Sequence, residues 1–104
     1  EVIWTSTWFD PVVEGDSAQA LLDKGADVIA MHQDSTAAGE KAEAAGARWV
    51  SYNSDMSAFA PNAFLTAPVW NWGPRYVEII EDAKAGNYAP SSYWGSMADG
   101  PGCG

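Results

Sequence analysis

Gly25-Ala26-Asp27-Val28-Ile29-Ala30-Met31-His32-Gln33-Asp34-Ser35 decides the fold. Gly25 is a helix stop, because glycine takes the left-handed conformation that closes a helix. Asp27–Met31 is apolar through its middle, as a strand buried on both faces is. Ser35 or Thr36 then caps a new helix. One short run therefore reads helix end, strand, helix start, the signature of alternating strands and helices.

The same alternation extends in both directions. Upstream, Asp10-Pro11 reads as an N-cap with proline at the first helical position, and the helix runs to about Lys24. Val13, Ser17 and Ala20/Leu21 share one face at helical spacing. Before it, Val2-Ile3-Trp4-Thr5 is β-branched and aromatic and reads as a strand. Downstream, Thr36 to Ala45 is a helix with a small-residue face of Ala38, Ala42 and Ala45, stopped by Gly46. Arg48–Tyr52 is the next strand. A polar loop with Asn53, Ser54, Asp55 and Pro61 leads to a short strand near Phe64-Leu65-Thr66. A third helix begins at Gly73-Pro74 and stops at Gly86, with Tyr76, Val77, Ile80 and Ala83 as its buried stripe. Ser92-Tyr93-Trp94 is a last short strand. Such a chain is expected to form an α/β fold, a three-layer α/β/α arrangement around an open, mostly parallel sheet joined by right-handed crossovers. Residues 1–98 are expected to form one lobe, with a loose tail over 99–104.

Composition narrows the functions. The chain has 104 residues, 47% hydrophobic, with 14 acids against five Lys/Arg and a net charge of −9. That balance opposes nucleic acid, whose phosphates require cationic neutralisation, and opposes an anionic membrane surface. No apolar run approaches the roughly 20 residues of a bilayer span. Val2, Ile3 and Trp4 give way quickly to polar residues, so no signal peptide is expected at the start. The single cysteine, Cys103, cannot form an internal disulfide. Six Trp in so short a chain is the unusual feature.

Parallel sheets bind ligands beyond the carboxyl ends of their strands. That rule gathers four segments: Ser6 to Asp10 with Trp8 and Phe9; His32 to Ser35 with Gln33 and Asp34; Asn53 to Ser57 with Asp55; and Ala67 to Gly73 with Trp70, Asn71 and Trp72. Flat aromatics and polar groups on one edge suit a flat hydrogen-bonding ligand: a nucleobase, a nucleoside or a sugar ring. Each residue also has a structural reading. Trp8 and Phe9 could staple the helix start, His32 could be a hydrogen-bonded structural histidine, Asp34 an N-cap, and Asn53 and Asp55 turn formers. Trp70 and Trp72 could pack their loop, and Trp4, Trp49 and Trp94 read as structural residues carried on strands.

Other chemistries find less. No glycine-rich phosphate loop follows the Val2–Thr5 strand. His32-Gln33-Asp34-Ser35 has triad residue types, yet neighbours on one turn do not generally converge. A small hydrolase using His32 and Asp34 is the alternative from another class. One His and scattered acids lack metal-ligand spacing, so no metal site and no cofactor are expected. A phospho-acceptor domain would need an acidic cluster beside the first strand and a late lysine, which are absent.

Four blocks, in order, resemble the basic membrane protein (BMP) family. They are Trp4-Thr5-Ser6-Thr7-Trp8-Phe9-Asp10-Pro11, the Gly25–Ser35 run, Tyr52-Asn53-Ser54-Asp55-Met56, and Leu65-Thr66-Ala67-Pro68-Val69-Trp70-Asn71-Trp72-Gly73. The resemblance spans Val2 to about Gly95. It implies a substrate-binding protein of an ABC importer with the type I periplasmic-binding-protein fold, periplasmic or anchored as a bacterial lipoprotein, and no enzymatic activity. Such proteins have two lobes and about three times this length. The chain resembles a stretch of the second, carboxy-terminal lobe, so a fragment or a truncated reading frame is expected. The implied ligand is a purine base or nucleoside, with an ABC permease as partner. By position, Trp8 or Phe9 matches the family's stacking aromatic, and His32-Gln33-Asp34 a loop that approaches the ligand. Asn53 and Asp55 fall where relatives carry two acids, one binding ribose. Asn53 in place of the first acid, and Trp70 where nucleoside binders carry lysine, lean toward a base. A sugar-binding lobe of the same fold is the alternative ligand reading. Apolar surface that the other lobe would cover is expected to drive homodimerisation or segment exchange of the isolated fragment.

Overall fold

A computed structural model describes residues 1–96. By its contacts the chain divides into a first unit, Glu1–Pro68, and a second unit from Val69 onward. The expected 99–104 tail, with Cys103, lies outside the described residues.

The first unit holds α1 (Pro11–Asp23), β1 (Val28–Ala30), α2 (Ala37–Ala44), β2 (Arg48–Val50) and β3 (Phe64–Thr66). The three strands form one parallel sheet in the order β1-β2-β3, with Ile29 opposite Trp49 and Trp49 opposite Phe64. This is the α/β architecture expected from the alternation. Asp10 caps α1: its Oδ1 accepts from the Val12 and Val13 amides at 3.1 Å each, satisfying N–H groups the helix itself leaves free. The helix ends in Lys24 and Gly25, the latter at φ +91°, where the amides of Gly25 and Ala26 close back on Leu22 and Leu21.

Alternation along the strands sends Ile29 and Trp49 to one face, where they join Ala18, Ala38 and Ala42 in a core with Ala47, Met56, Ala60 and Ala63. Small residues let the helices come close. Gly39 of α2 rests directly on the Trp49 ring, and Gly15 of α1 faces Ala37 and Lys41 of α2.

Several sequence expectations are corrected. Val2–Thr5 forms no strand, leaving β1 as a sheet edge among the described residues. Its residues favour a pleated surface, yet side-chain bonds to distant parts of the chain hold this segment instead of a strand ladder. Gln33 Nε2 donates to Thr5 Oγ1 and to Thr7 O at 3.1 Å, and Lys24 pairs with Glu1. Between the segment and β1 lies a cavity of about 780 Å³ lined in part by Val2, Trp4, Leu21, Ile29 and Met31. β1 is buried on one face only: Ile29 is covered, while Val28 and Ala30 are exposed. The buried face of α1 is Glu14, Gly15 and Ala18 instead of Val13, Ser17 and Ala20, because small residues and a carboxylate face α2 and the loops. Ala45 of the expected alanine face is exposed, beyond the last turn of α2.

The second unit contains α3 (Gly73–Ala85), closed by Gly86. Its expected buried stripe is exposed at Tyr76, Val77, Ile80 and Ala83. Periodicity identifies an apolar stripe but not a covering surface. Ser92–Trp94 forms no strand among the described residues, and Trp94, like Trp4, is exposed. Of the three tryptophans expected on strands, only Trp49 is in one. Among the described residues no helix is long and apolar enough to cross a membrane.

Candidate ligand-binding site

β1 and β2 run parallel, so their carboxyl ends release the His32–Ser35 and Ser51–Ser57 loops on the same edge of the sheet. The segment before α1 reaches this edge as well, since the Asp34 amide donates to Trp8 O at 3.0 Å. Three rings then stand in a row. Trp8 meets His32 edge-on, with centroids 5.7 Å apart and planes at 70°. His32 meets Tyr52 at 4.1 Å. Trp8 keeps 63% of its surface open, so a large face remains available beside a fixed neighbour.

Polar groups flank the row. Asn53 Nδ2 donates to Asp34 Oδ1 at 3.2 Å, joining the second and third loops. Asn53 sits at φ +69°, the left-handed region that asparagine tolerates better than most residues. Asp34 does not cap α2. The Ala37 amide donates instead to Ser35 Oγ at 3.3 Å. Gln33 is half-buried and spends its amide on Thr5 and Thr7, bracing the Trp8 loop. No Lys or Arg occurs in residues 1–10, 32–35 or 51–57, while Asp34 and Asp55 do, so these loops favour a neutral or cationic ligand over an anion.

The structure thus brings together Trp8, His32, Gln33, Asp34 and Asn53. Phe9 is exposed at 63% and joins none of the ring pairs described here. Asp55 turns on its own loop: Ser57 N donates to Oδ1 at 2.9 Å, and hydrogen bonding from the Ser57 side chain and backbone holds the carboxyl below its usual range. Trp70 belongs to the second unit, where it stacks on Trp72 at 5.8 Å, and Trp72 stacks on Tyr76 at 6.4 Å. His32 and Asp34 share no hydrogen bond; their partners are rings and Asn53 respectively. Among the described residues no three His, Cys, Asp or Glu side chains gather to hold a metal ion.

Two contributors escaped the sequence reading. Tyr52 closes the ring row, and its place at the carboxyl end of β2, one residue before Asn53, was the available signal. Glu14 is buried beneath the loops, and helical periodicity of apolar residues has no means to select it.

The family model described as "ABC transporter substrate-binding protein PnrA-like" matches residues 1–99. The chain belongs to the Bmp family. Among its relatives, a purine-binding protein of Brucella abortus is 42% identical over 100 residues, covering 96% of this chain and 29% of that protein. A protein of Haloferax volcanii that carries the name of an ABC transporter glucose-binding protein is 38% identical over 100 residues, covering 96% of this chain and 26% of that protein. The chain therefore spans less than a third of the length of these curated Bmp relatives.

Proposed function

We propose that this chain supplies one wall of a non-covalent purine-base site in the solute-binding component of an ABC importer. The observation that carries the reading is the Trp8–His32–Tyr52 row at the carboxyl ends of parallel strands, with the Asp34–Asn53 pair beside it. The open Trp8 face stacks on the purine, and Asp34 and Asn53 meet its hydrogen-bonding edge. Phe9, next to Trp8 in the chain and exposed, adds apolar surface. The purine-binding relative supports the same ligand class. The importer role places the protein outside the cytoplasm, periplasmic or lipid-anchored, with a permease as its partner and no turnover of the ligand. A second copy of the chain covers the exposed Val28 and Leu65 surface, and light scattering over a wide concentration range tests that association.

Adenine added to the protein quenches tryptophan emission, whereas ribose leaves it unchanged. Quenching by ribose and not by adenine would overturn the purine reading. The name of the Haloferax relative favours a second reading, a hexose stacked on the same rings. Glucose competing adenine away from the protein would support it. The hydrolase alternative needs His32→Ala to abolish a measurable turnover, whereas the binding reading expects weaker binding and no turnover to lose.

A further inference from the structure

Glu14 lies in the first turn of α1 with 1% of its surface exposed. Its carboxylate is occupied on both oxygens. Oε1 accepts from the Asp10 amide at 2.9 Å. Oε2 accepts from the Ser35 amide at 3.2 Å and from the Ser35 hydroxyl. These donors lie on different loops: Asp10 ends the segment that carries Trp8, and Ser35 ends the one that carries His32 and Asp34.

We propose that Glu14 is a positioning residue that clamps the Trp8 loop to the His32–Asp34 loop and so sets the spacing of the ring row. The proposal rests on the purine-site reading for its functional meaning, while the clamp itself is a property of the fold. Direct bonds already join the two loops, from the Asp34 amide to Trp8 O at 3.0 Å and from Gln33 Nε2 to Thr5 Oγ1 and Thr7 O. Those ties are exposed or only partly buried; Glu14 adds a buried anchor that fixes both loops to α1 as well as to each other. A buried carboxylate suits this task because it accepts several hydrogen bonds at once, whereas a neutral amide offers one accepting oxygen. The same contacts also serve α1 itself. Asp10 Oδ1 accepts from Val12 N and Val13 N while Glu14 Oε1 accepts from Asp10 N, a reciprocal arrangement like a capping box. Helix capping accounts for Oε1, but it leaves both bonds to Ser35 unexplained.

Glu14→Gln keeps the shape and places an NH₂ where one of the two oxygens accepts. In the folded variant the Asp34 amide should exchange with solvent about tenfold faster, as expected when a charged hydrogen bond is lost nearby. The Trp49 amide, bonded to Ala63 O in the sheet, should keep its protection. Adenine affinity should fall by about tenfold, and in a Trp8→Ala background Glu14→Gln should cause little further loss. Unchanged Asp34 exchange in folded Glu14→Gln overturns the clamp, whatever adenine does. Faster exchange with undiminished adenine binding overturns the positioning role while leaving the purine reading intact. Absence of adenine binding by the wild-type protein defeats the purine reading, and the exchange measurement still decides the clamp. Should Glu14→Gln not fold, Ser35→Ala removes one of the three donors; it should speed Asp34 exchange in the same direction, and unchanged exchange there overturns the clamp.

Discussion

Gly39 lies so close to Trp49 that a Cβ added at residue 39 would sit 2.2 Å from Trp49 Cε3. Trp49 is fully buried in the sheet face and cannot step aside without disturbing the core around Ile29, Ala38 and Ala42. Alanine normally favours a helix interior over glycine by about 1 kcal/mol. Here overpacking, typically about 1–3 kcal/mol, opposes and exceeds that gain. Gly39→Ala should therefore lower the urea midpoint. An unchanged or raised midpoint would show that the α2–sheet contact is looser than described.

Trp49 carries a second consequence. Its Nε1–H is buried without a hydrogen-bond partner among the described residues. Trp49→Ala should cost about 3–5 kcal/mol through the lost ring and the cavity left behind. Trp49→Phe removes the unsatisfied donor while keeping much of the apolar volume, so it should cost clearly less. The double variant Gly39→Ala/Trp49→Phe should be more stable than the sum of the single effects predicts, since a smaller ring makes room for the new methyl. Chemical denaturation of the four proteins measures that coupling.

Acid should destabilise the fold through Glu43. Desolvation works to raise its carboxyl, but hydrogen bonds from Ala63 N, Asn62 Nδ2 and Asn62 N outweigh it and hold the group below its ordinary 4.5. Those bonds, at 2.9–3.0 Å, tie α2 to the loop before β3. A depressed folded value means that the unfolded chain binds the proton more readily. The contribution is thus present above about pH 4.5 and is lost as pH falls through the lower folded value. Asp55, held below 3.8 by Ser57, adds to the same trend at lower pH. Urea midpoints should fall between pH 5 and pH 3, and Glu43→Gln should flatten that fall.

Much of the architecture was legible because its signals are local. Asp10-Pro11 marks a helix start through a side-chain cap, Gly25, Gly46 and Gly86 mark helix ends through a positive φ that few other residues adopt, and Val28–Ala30 and Phe64–Thr66 are short, bounded apolar runs. What failed was long-range. Whether Val2–Thr5 pairs with β1, and what covers Val77 and Ile80, depends on surfaces that no window of sequence contains. The α1 face was misread because Glu14 and Gly15 carry no apolar signal, although one clamps loops and the other admits α2. At the site, the rule about carboxyl ends of parallel strands located the loops that carry His32, Gln33, Asp34 and Asn53; Trp8 was reached through an expected Val2–Thr5 strand that does not pair, and it joins them through the Asp34–Trp8 backbone bond. The rule did not separate Asp55, which turns on Ser57, from Asn53, which reaches Asp34.

Calorimetric titration of the chain with adenine and with glucose, repeated for Trp8→Ala, tests the purine site most directly. The purine-wall account predicts adenine binding weaker than about micromolar, because one wall leaves the ligand exposed to water; it also predicts markedly weaker binding in Trp8→Ala and no heat with glucose. Nanomolar adenine binding by the chain alone, adenine binding indifferent to Trp8, or glucose binding in its place would contradict it.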